Sequence, residues 1–415
     1  MTSCPWAFEP FSETALLRTL NNLKSEVRQK ALSDPRVSGV NDTYILSLMR
    51  NESNSCMCPM IDDYIRGTYN IGLHCEEFPF VHPLWIQIFY ILLFAITILL
   101  ALVGNFTVMW IVLRHRSMRT ITNYFLLNLA IADASISIFN TGFSWTYNFY
   151  YQWIFGLYYC RVNNLMGITP ICASVFTMIA MSIDRYWAIV HPLRPRMSRR
   201  ATGATIWAVW FLAILCGLPS YFFSKIERQY FYNGETLYEH IVCMSDNYPV
   251  EYPWGKLYTS GLVIVQYFIP LLILACAYFR VGTVLRKSKC VGDSQHAKSI
   301  AAKRRASVML GLVVFIFMVV WFPYNTYFVL ADFLPKPEDH TTQLYIYINI
   351  YWLGMSSTVF NPVIYYFMNK RFRVGFRYAF RWLPRVRSSR GDYLAILSSN
   401  ARPSLLPSHT AATEF

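Results

Sequence analysis

Long apolar runs separated by short polar segments fill the chain from residue 85 to residue 368. Seven of these runs are long enough to match the roughly 20 residues that a helix needs to cross the hydrocarbon core of a membrane. They lie at 85–113, 121–149, 158–183, 202–223, 257–279, 306–331 and 343–368. Because that core contains no water to pair with backbone groups, each run is expected to be helical. The pattern predicts an all-α membrane protein, built as a seven-transmembrane helix bundle.

The distribution of Lys and Arg predicts the orientation of the bundle. The connections after the first, third, fifth and seventh runs are rich in both residues, whereas the opposite set contains only Lys225, Arg228, Lys256 and Lys336. Cytoplasmic loops retain positive charge, so the N-terminus is expected outside the cell and the C-terminus inside. The net charge of +14 then faces the lipid bilayer and cytosolic partners, and a nucleic-acid partner is not indicated. We expect a multi-pass plasma-membrane protein.

The two ends of the chain differ from its apolar centre, so that four regions are predicted. Residues 1–84 form an extracellular tail with glycosylation sequons at Asn41 and Asn51. Residues 85–368 form the transmembrane domain, and residues 369–383 form a short amphipathic eighth helix on the membrane surface. Residues 384–415 are rich in Ser, Pro and Arg and predict a disordered cytoplasmic tail. Its candidate phosphorylation sites are Ser388, Ser389, Ser398 and Ser399.

Six cysteines fall on the extracellular side of the predicted bundle. They are Cys4, Cys56, Cys58, Cys75, Cys160 and Cys243. An even number in an oxidising compartment favours disulfides. The four cysteines of the N-terminal tail allow three pairings, and the sequence does not choose among them. Their spacing fits no common zinc pattern, so no metal site is predicted.

An ionisable cluster marks the cytosolic end of the third run, where Asp184, Arg185 and Tyr186 follow one another. A lone arginine there favours the simple interpretation of a side chain that reaches the membrane surface, although charges at membrane depth are often functional. Each of the other runs also carries polar, proline or aromatic residues that are unusual for a plain membrane anchor. They are Gly104 and Asn105; Asn128 and Asp133; Trp210; Pro270 and Tyr278; Phe317, Trp321 and Pro323; and Asn361, Pro362 and Tyr365.

This ordered set resembles the signature residues of the rhodopsin-like G-protein-coupled receptors, and the resemblance spans residues 85–383. Several longer stretches are similar to the tachykinin (neurokinin) receptors in particular. They are MRTITNYFLLNLAIADAS, FGLYYC, DRYWAIVHPLRPRMS, WLGMSSTVFNPVIYY and NKRFRVGFRYAF. The resemblance implies a cell-surface receptor for an amidated, tachykinin-like neuropeptide. It also implies coupling to a heterotrimeric G protein, with Gq and phosphoinositide and calcium signalling as the default.

The resemblance further implies roles for individual residues. The ligand pocket would include Asn140, Tyr147, Asn163, Asn164, Tyr324, Asn325 and Tyr347, whose amides and hydroxyls suit an amidated peptide terminus. Asn163 and Asn325 stand where the best-known members have histidine, which leaves the peptide selectivity open. Acids at the rim, Asp332 and Glu251, fit either a basic peptide or a plain solvated surface. One disulfide would join Cys160 to Cys243.

Three further groups of residues follow from the same resemblance. Activation switches would be Trp321, Phe317, Pro270, Asn361, Tyr365 and Tyr278, and G-protein coupling would use Asp184, Arg185 and Tyr186. Asp133, with Asn105, Ser174, Ser357 and Asn361, would hold either a proton or an allosteric sodium ion. No other cofactor is expected. Arrestin and receptor kinases would act on the cytoplasmic tail.

Other functions of a membrane bundle lack the residues that they need. A light sensor requires a lysine in the seventh run, and none occurs between Lys336 and Lys370. An amine receptor requires an acid in the outer part of the third run, and residues 161–183 contain none. A transporter would show repeated broken helices, and an enzyme would show a nucleophile with its base. The remaining alternative is a receptor for another neuropeptide class, such as neuropeptide Y-like or luqin-like peptides.

Overall fold

Seven long helices form the body of the molecule. The computed structural model describes residues 71–74, 78–191, 197–232, 237–245, 254–287, 294–330, 340–384, 386, 390–393 and 396–397. The helices are α1 (Leu84–Arg114), α2 (Ile121–Tyr150), α3 (Gly156–Val190), α4 (Arg199–Phe222), α5 (Trp254–Val263, continued by Ile264–Phe268 and Ile269–Lys287), α6 (Ser294–Leu330) and α7 (His340–Met368). Each predicted run lies largely within one of these helices. The predicted seven-helix bundle is therefore confirmed.

The helices differ in how apolar they are. Within the described part of the chain, α1 to α6 are long and apolar enough to cross a membrane. Helix α7 has 29 residues, which corresponds to about 43 Å of helix. Its outer half is more polar, because tyrosines and Asn349 alternate with isoleucines there. Ile348 and Tyr351 of this half are buried, so α7 turns one side towards the bundle interior.

Exposed apolar side chains cover the outside of the bundle, as expected of a surface that faces lipid. On α1, Phe94, Val108 and Ile111 are fully buried, while Leu92 and Leu99 are more than half exposed. A helix that is apolar on all sides is typical of a membrane span. The interior side chains therefore pack against neighbouring helices, and the exterior ones are left for the bilayer.

Buried polar side chains form hydrogen bonds between neighbouring helices inside the bundle. Asn128 of α2 donates to the Thr177 hydroxyl of α3 at 2.7 Å and accepts from the Trp210 indole of α4 at 2.8 Å. Asn105 of α1 donates to the backbone carbonyl of Thr358 on α7 at 2.9 Å. These bonds satisfy groups that would otherwise be costly in a dry interior. They fix the arrangement in which the site residues are presented.

A three-stranded sheet covers part of the extracellular mouth. Its strands are β1 (Ile71–His74), β2 (Lys225–Tyr232) and β3 (Leu237–Met244). Strands β2 and β3 form an antiparallel hairpin between α4 and α5, and β1 from the N-terminal region pairs in parallel with β2. Only helices were predicted from the sequence, because these strands of four to eight residues are much shorter than the apolar runs that indicate membrane spans.

A short eighth helix, α8 (Lys370–Ala379), follows α7. The side chain of Asn369 caps its first turn by accepting from the Arg371 amide at 3.0 Å. Phe372 and Phe376 are buried, as the amphipathic pattern predicts, while Trp382 beyond the helix end is 73% exposed. The helix ends four residues earlier than the predicted boundary at residue 383.

The described residues of the C-terminal tail pack against the bundle, within the region 384–415 for which the composition predicts disorder. Residues Arg390–Tyr393 form a helical turn, α9. Leu397 is only 1% exposed and belongs to the main hydrophobic core. The tail as a whole is rich in Ser, Pro and Arg, but it also contains a short apolar stretch that begins at Tyr393.

Candidate ligand pocket and signalling core

A hydrogen-bonded cluster of polar side chains lies between the outer halves of α2, α3 and α7. Asn140 donates to the Ser144 hydroxyl and to the Asn163 backbone carbonyl, both at 2.9 Å. Asn163 donates to the same Ser144 hydroxyl at 3.0 Å, and the Tyr351 hydroxyl donates to Asn140 at 3.2 Å. All four residues are buried. Two predicted pocket residues, Asn140 and Asn163, are thus neighbours in one amide and hydroxyl network.

A π-helical turn at Ser137–Thr141 presents Asn140 to this network. The hydroxyls of Ser137 and Thr141 bond back to the carbonyls of Asp133 and Ile136, at 2.9 and 3.2 Å. Such local side-chain bonds compete with regular helical pairing, and single π turns occur often at functional sites. The local sequence therefore favours an irregular turn at the height of the pocket.

Aromatic rings from α6 and α7 line the other side of the same region. Tyr324 lies 4.8 Å from Phe328, and Tyr347 lies 6.1 Å from Tyr351 and 6.4 Å from Phe328 between ring centroids. Aromatic pairs at these distances add stability beyond simple burial. The predicted pocket residues Tyr324 and Tyr347 therefore belong to one aromatic wall that faces the amide network through Tyr351.

Three other predicted pocket residues, Asn164, Tyr147 and Asn325, make the following contacts outside the amide network. Asn164 donates to the Ser224 hydroxyl at 2.8 Å and lies 3.6 Å from the sulfur of Cys243. Tyr147 packs edge-on against Trp153, with 5.6 Å between ring centroids. Asn325 donates to the carbonyl of Trp321 within its own helix at 2.8 Å. The structure places the first two beside the extracellular hairpin, apart from the amide network.

Beneath the aromatic wall lie Trp321 and Phe317, for which the resemblance implies a switch role. Their ring centroids are 5.8 Å apart, and both rings are buried. The Trp321 indole donates to the Ser357 hydroxyl of α7 at 3.1 Å. A side chain at Gly354 would reach within 3.4 Å of the Trp321 ring, so α7 passes close to it. Any rotation of Trp321 must therefore repack α7 as well as α6.

Asp133 of α2 is a buried carboxylate in the middle of the bundle. One of its oxygens accepts from Asn361 at 2.7 Å, and the other accepts from Ser174 at 3.3 Å. Ser357 instead accepts from Trp321, and the amide nitrogen of Asn105 bonds to backbone carbonyls. Among the described residues, the side-chain oxygen of Asn105 is buried without a hydrogen-bond partner. Carboxylate, hydroxyl and amide oxygens are ligands of the kind that hard cations prefer.

At the cytosolic end, Arg185 forms an ion pair with its chain neighbour Asp184. Their side chains approach to 3.1 Å and are 18% and 12% exposed. Arg185 also donates to the Thr122 hydroxyl of α2, a partner that the sequence analysis missed. These residues border a cavity of about 370 Å³, which Arg119 and Arg199 also line. The arginine is therefore held on the α2 side of α3, next to a basic cavity open to the cytosol.

Tyr365 and Tyr278, for which the resemblance implies a switch role, have buried hydroxyls. Tyr365 is fully buried and packs against Phe372 of α8, with 5.5 Å between ring centroids. Among the described residues, the buried hydroxyl of Tyr365 has no hydrogen-bond partner. Buried polar groups without partners are unusual and mark strained or functional places. The Tyr365 hydroxyl at the inner end of α7 is one such group.

Comparison with known proteins fits this geometry. A family model for the seven-transmembrane receptors of the rhodopsin family matches residues 104–365. The chain belongs to this receptor family. It is 38% identical over 332 residues to the substance-P receptors of Meriones unguiculatus and Homo sapiens, covering 79% of both chains in each case. It is also 38% identical over 330 residues to the neuromedin-K receptor of Rattus norvegicus, covering 78% of this chain and 70% of that one. It is a multi-pass plasma-membrane receptor and not an enzyme.

The predicted disulfide of the receptor is confirmed. Cys160 at the start of α3 is bonded to Cys243 of β3, which ties the hairpin across the mouth of the bundle. Trp153 packs beside the bridge, is 1% exposed, and donates its backbone N–H to Ile241 at 2.7 Å. The predicted glycosylation sites Asn41 and Asn51 lie outside the described residues, as do Asp332, Glu251 and the serines Ser388, Ser389, Ser398 and Ser399. So do the four other extracellular cysteines.

The receptor also has a buried polar group that the sequence analysis did not select. Glu227 of β2 is fully buried and pairs with Lys225 at 3.2 Å. Gln229, on the same side of the strand, accepts from the Tyr151 hydroxyl at 2.7 Å. The alternation of Lys225, Glu227 and Gln229 with other residues has the period of a strand. That signal could have indicated the hairpin and its polar inner side.

Proposed function

We propose that the receptor binds an amidated neuropeptide of the tachykinin type and couples its binding to a heterotrimeric G protein of the Gq class. The observation that carries the proposal is the network of Asn140, Ser144, Asn163 and Tyr351. An amide side chain offers both donors and acceptors, and a peptide amide presents the same two groups. The network can therefore exchange internal bonds for bonds to a carboxamide terminus, while the adjacent aromatic wall buries apolar peptide side chains.

The similarity to substance-P and neuromedin-K receptors supports the same class of ligand. Near the mouth, Phe78 stacks on His240 of β3 at 3.8 Å, and Phe80 lies 4.8 Å from Tyr151. Such an aromatic rim suits a peptide longer than the amide pocket alone can hold. We further propose that residues 1–84 are the extracellular tail, that receptor kinases and arrestin act on the C-terminal tail, and that Asp133 holds sodium or a proton.

A peptide panel tests the ligand class. Calcium release is measured in receptor-expressing cells that receive tachykinin-type, neuropeptide Y-like and luqin-like peptides. We expect a response to an amidated tachykinin-type peptide and a response at least tenfold less potent to its free-acid form, since a buried amide network would then face an unpaired charge. A response to either of the other classes alone would overturn the tachykinin proposal.

A matched pair of variants tests the network itself. Asn140→Asp replaces the carboxamide by a carboxylate of the same size, and it should reduce potency for the amidated peptide by at least tenfold. Asn349→Asp makes the same change on the outer half of α7, where Asn349 donates to the Tyr90 hydroxyl, and it serves as the control. Gq coupling is measured as inositol phosphate accumulation in cells with and without the Gq α subunit. Full signalling without that subunit would exclude Gq as the main partner.

A further inference from the structure

The described tail residues occupy a groove between α8 and the first cytosolic loop. This loop consists of residues 115–120 and joins α1 to α2. We call this groove the tail seat and define it by His115, Ser117, Tyr378 and Arg381. The ring of Tyr393 stacks on that of Tyr378 with 3.5 Å between centroids and 11° between planes. It also meets the His115 ring edge-on at 5.2 Å, and its hydroxyl lies 3.2 Å from Nε2 of His115. One tyrosine is therefore held by stacking and by a hydrogen bond at once.

A second anchor lies four residues further along the tail. Leu397 is 1% exposed, and its backbone carbonyl accepts from the Ser117 hydroxyl at 2.8 Å. Ile396 packs against the same hydrophobic cluster. Removing the apolar surface of a leucine from water in this way favours the docked position of the tail. The two anchors thus combine burial of apolar surface with hydrogen bonds to His115 and Ser117 of the loop.

Residues of the first cytosolic loop and of the α8 region form the groove without the tail. His115 is 6% exposed and packs edge-on against Trp110 of α1 at 5.7 Å. Arg371 of α8 donates to the backbone carbonyl of Ser117 at 3.3 Å, which connects the loop to α8. The Arg381 guanidinium lies 4.2 Å from the centre of the Tyr378 ring. The loop and α8 are therefore held together by their own contacts as well as by the tail.

We propose that the tail seat is a binding site for the receptor's own C-terminal tail, with Tyr393 and Leu397 as its anchors. Residues 390–397 read RGDYLAIL, so their anchoring half is uncharged and apolar, which matches a groove that buries a leucine and an aromatic ring. Ser398 and Ser399 follow Leu397 directly. Docking therefore fixes Leu397 against the first cytosolic loop, and undocking releases it.

The seat is also connected to the signalling core through the loop. Ser117 lies two residues before Arg119, which lines the cavity that contains Arg185. A tail bound to Ser117 thus contacts the same short loop that borders the G-protein-coupling region.

Binding of a synthetic peptide tests the seat. Full-length receptor carrying Tyr393→Ala and Leu397→Asp, which should vacate the seat, is placed in nanodiscs of neutral lipid. A fluorescent peptide with the sequence of residues 388–399 is then titrated, and its anisotropy is measured. We expect saturable binding that is at least tenfold tighter than to the wild-type receptor, whose own tail competes. The same peptide carrying Tyr393→Ala and Leu397→Asp should bind at least tenfold more weakly than the unmodified one.

Variants of the seat provide the matched control. Tyr378→Ala removes the stacking partner and should weaken peptide binding about tenfold, while Trp382→Ala removes an exposed aromatic side chain nearby and should leave binding unchanged. Retained agonist binding shows that each variant is folded. Equal signals with empty nanodiscs, equal affinities of the two peptides, or equal effects of Tyr378→Ala and Trp382→Ala would each overturn the proposal.

Discussion

Asn361 of α7 donates a hydrogen bond of 2.7 Å to the buried carboxylate of Asp133 on α2. This bond links the two helices in the middle of the membrane. An unpaired charge at this depth costs several kcal/mol, and one amide donor with one hydroxyl donor compensates only part of that cost. The carboxylate therefore needs a proton or a cation as an additional partner.

The first prediction follows from this need. If sodium binds at Asp133 in the inactive state, sodium lowers agonist affinity, because a ligand shifts the population towards the state that it prefers. We expect at least about a fivefold loss of affinity, which is the lower end of typical coupling between sites. Agonist binding is measured in sodium chloride and in the chloride of a bulky organic cation at equal ionic strength.

Substitutions decide whether the effect arises at this carboxylate. Asp133→Asn should remove the sodium dependence and impair activation. Ser135→Ala is the control, since the Ser135 hydroxyl bonds back to Ile131 within its own helix. An unchanged affinity in the wild-type receptor would eliminate the sodium site and leave Asp133 as a protonated hydrogen-bonding hub.

The second prediction concerns the restraint on Arg185. Its pair with Asp184 is partly exposed, so the restraint is of the order of 1 kcal/mol. Asp184→Asn should therefore raise basal inositol phosphate production severalfold, and Thr122→Val should raise it as well, because Thr122 holds the same guanidinium. Arg185→Ala should abolish coupling while agonist binding persists. Normal coupling by that variant would contradict a role for Arg185 in signalling.

The third prediction concerns the bond between Cys160 and Cys243. A disulfide that closes a loop of this size stabilises a protein by about 2–5 kcal/mol, and this one also positions the hairpin over the pocket. Cys243→Ser should abolish agonist binding at the cell surface. Cys276→Ser, which changes an exposed free cysteine of α5, should leave binding near the wild-type value. Binding of labelled peptide to intact cells measures both, and normal binding by Cys243→Ser would show that the bridge is dispensable.

How far the sequence predicts this molecule depends on the range of the interactions. The seven spans follow from local apolar runs, and the pair of Asp184 and Arg185 follows from adjacent residues. The partners of Asn140 cannot be predicted in this way, because Tyr351 lies on another helix, 211 residues away. Only the packing of α2 against α7 brings the two together, so the sequence could suggest Asn140 only by resemblance.

The sheet and the docked tail escaped prediction for a related reason. Strand β1 has four residues and depends on pairing with β2, and short strands rarely stand out from loops in a single sequence. Leu397 is buried because a groove between the first cytosolic loop and α8 receives it. Composition alone indicated a disordered tail, since it averages over the apolar stretch that provides the anchors.

The last prediction concerns His82, which joins the N-terminal segment to the bundle. Its Nε2 lies 2.9 Å from the Phe149 carbonyl, and its Nδ1 lies 2.9 Å from the Tyr345 hydroxyl. Because a carbonyl can only accept, Nε2 donates, and Nδ1 accepts from Tyr345 in the neutral ring. Burial lowers the pKa of His82 below its ordinary value of 6.5, although the bond to Phe149 opposes part of this effect.

A histidine with a lowered pKa in the folded state takes up its proton more readily when the protein unfolds. Its contribution to stability is therefore complete above pH 6.5 and is lost as the pH falls through the lower pKa of the folded state. We expect the thermal unfolding temperature of purified receptor to fall between pH 7.5 and pH 5.5, and to fall less in His82→Gln. His340→Gln changes an exposed histidine at the start of α7 and should keep the wild-type pH dependence. Identical pH profiles for the wild type and His82→Gln would show that protonation of His82 does not oppose folding.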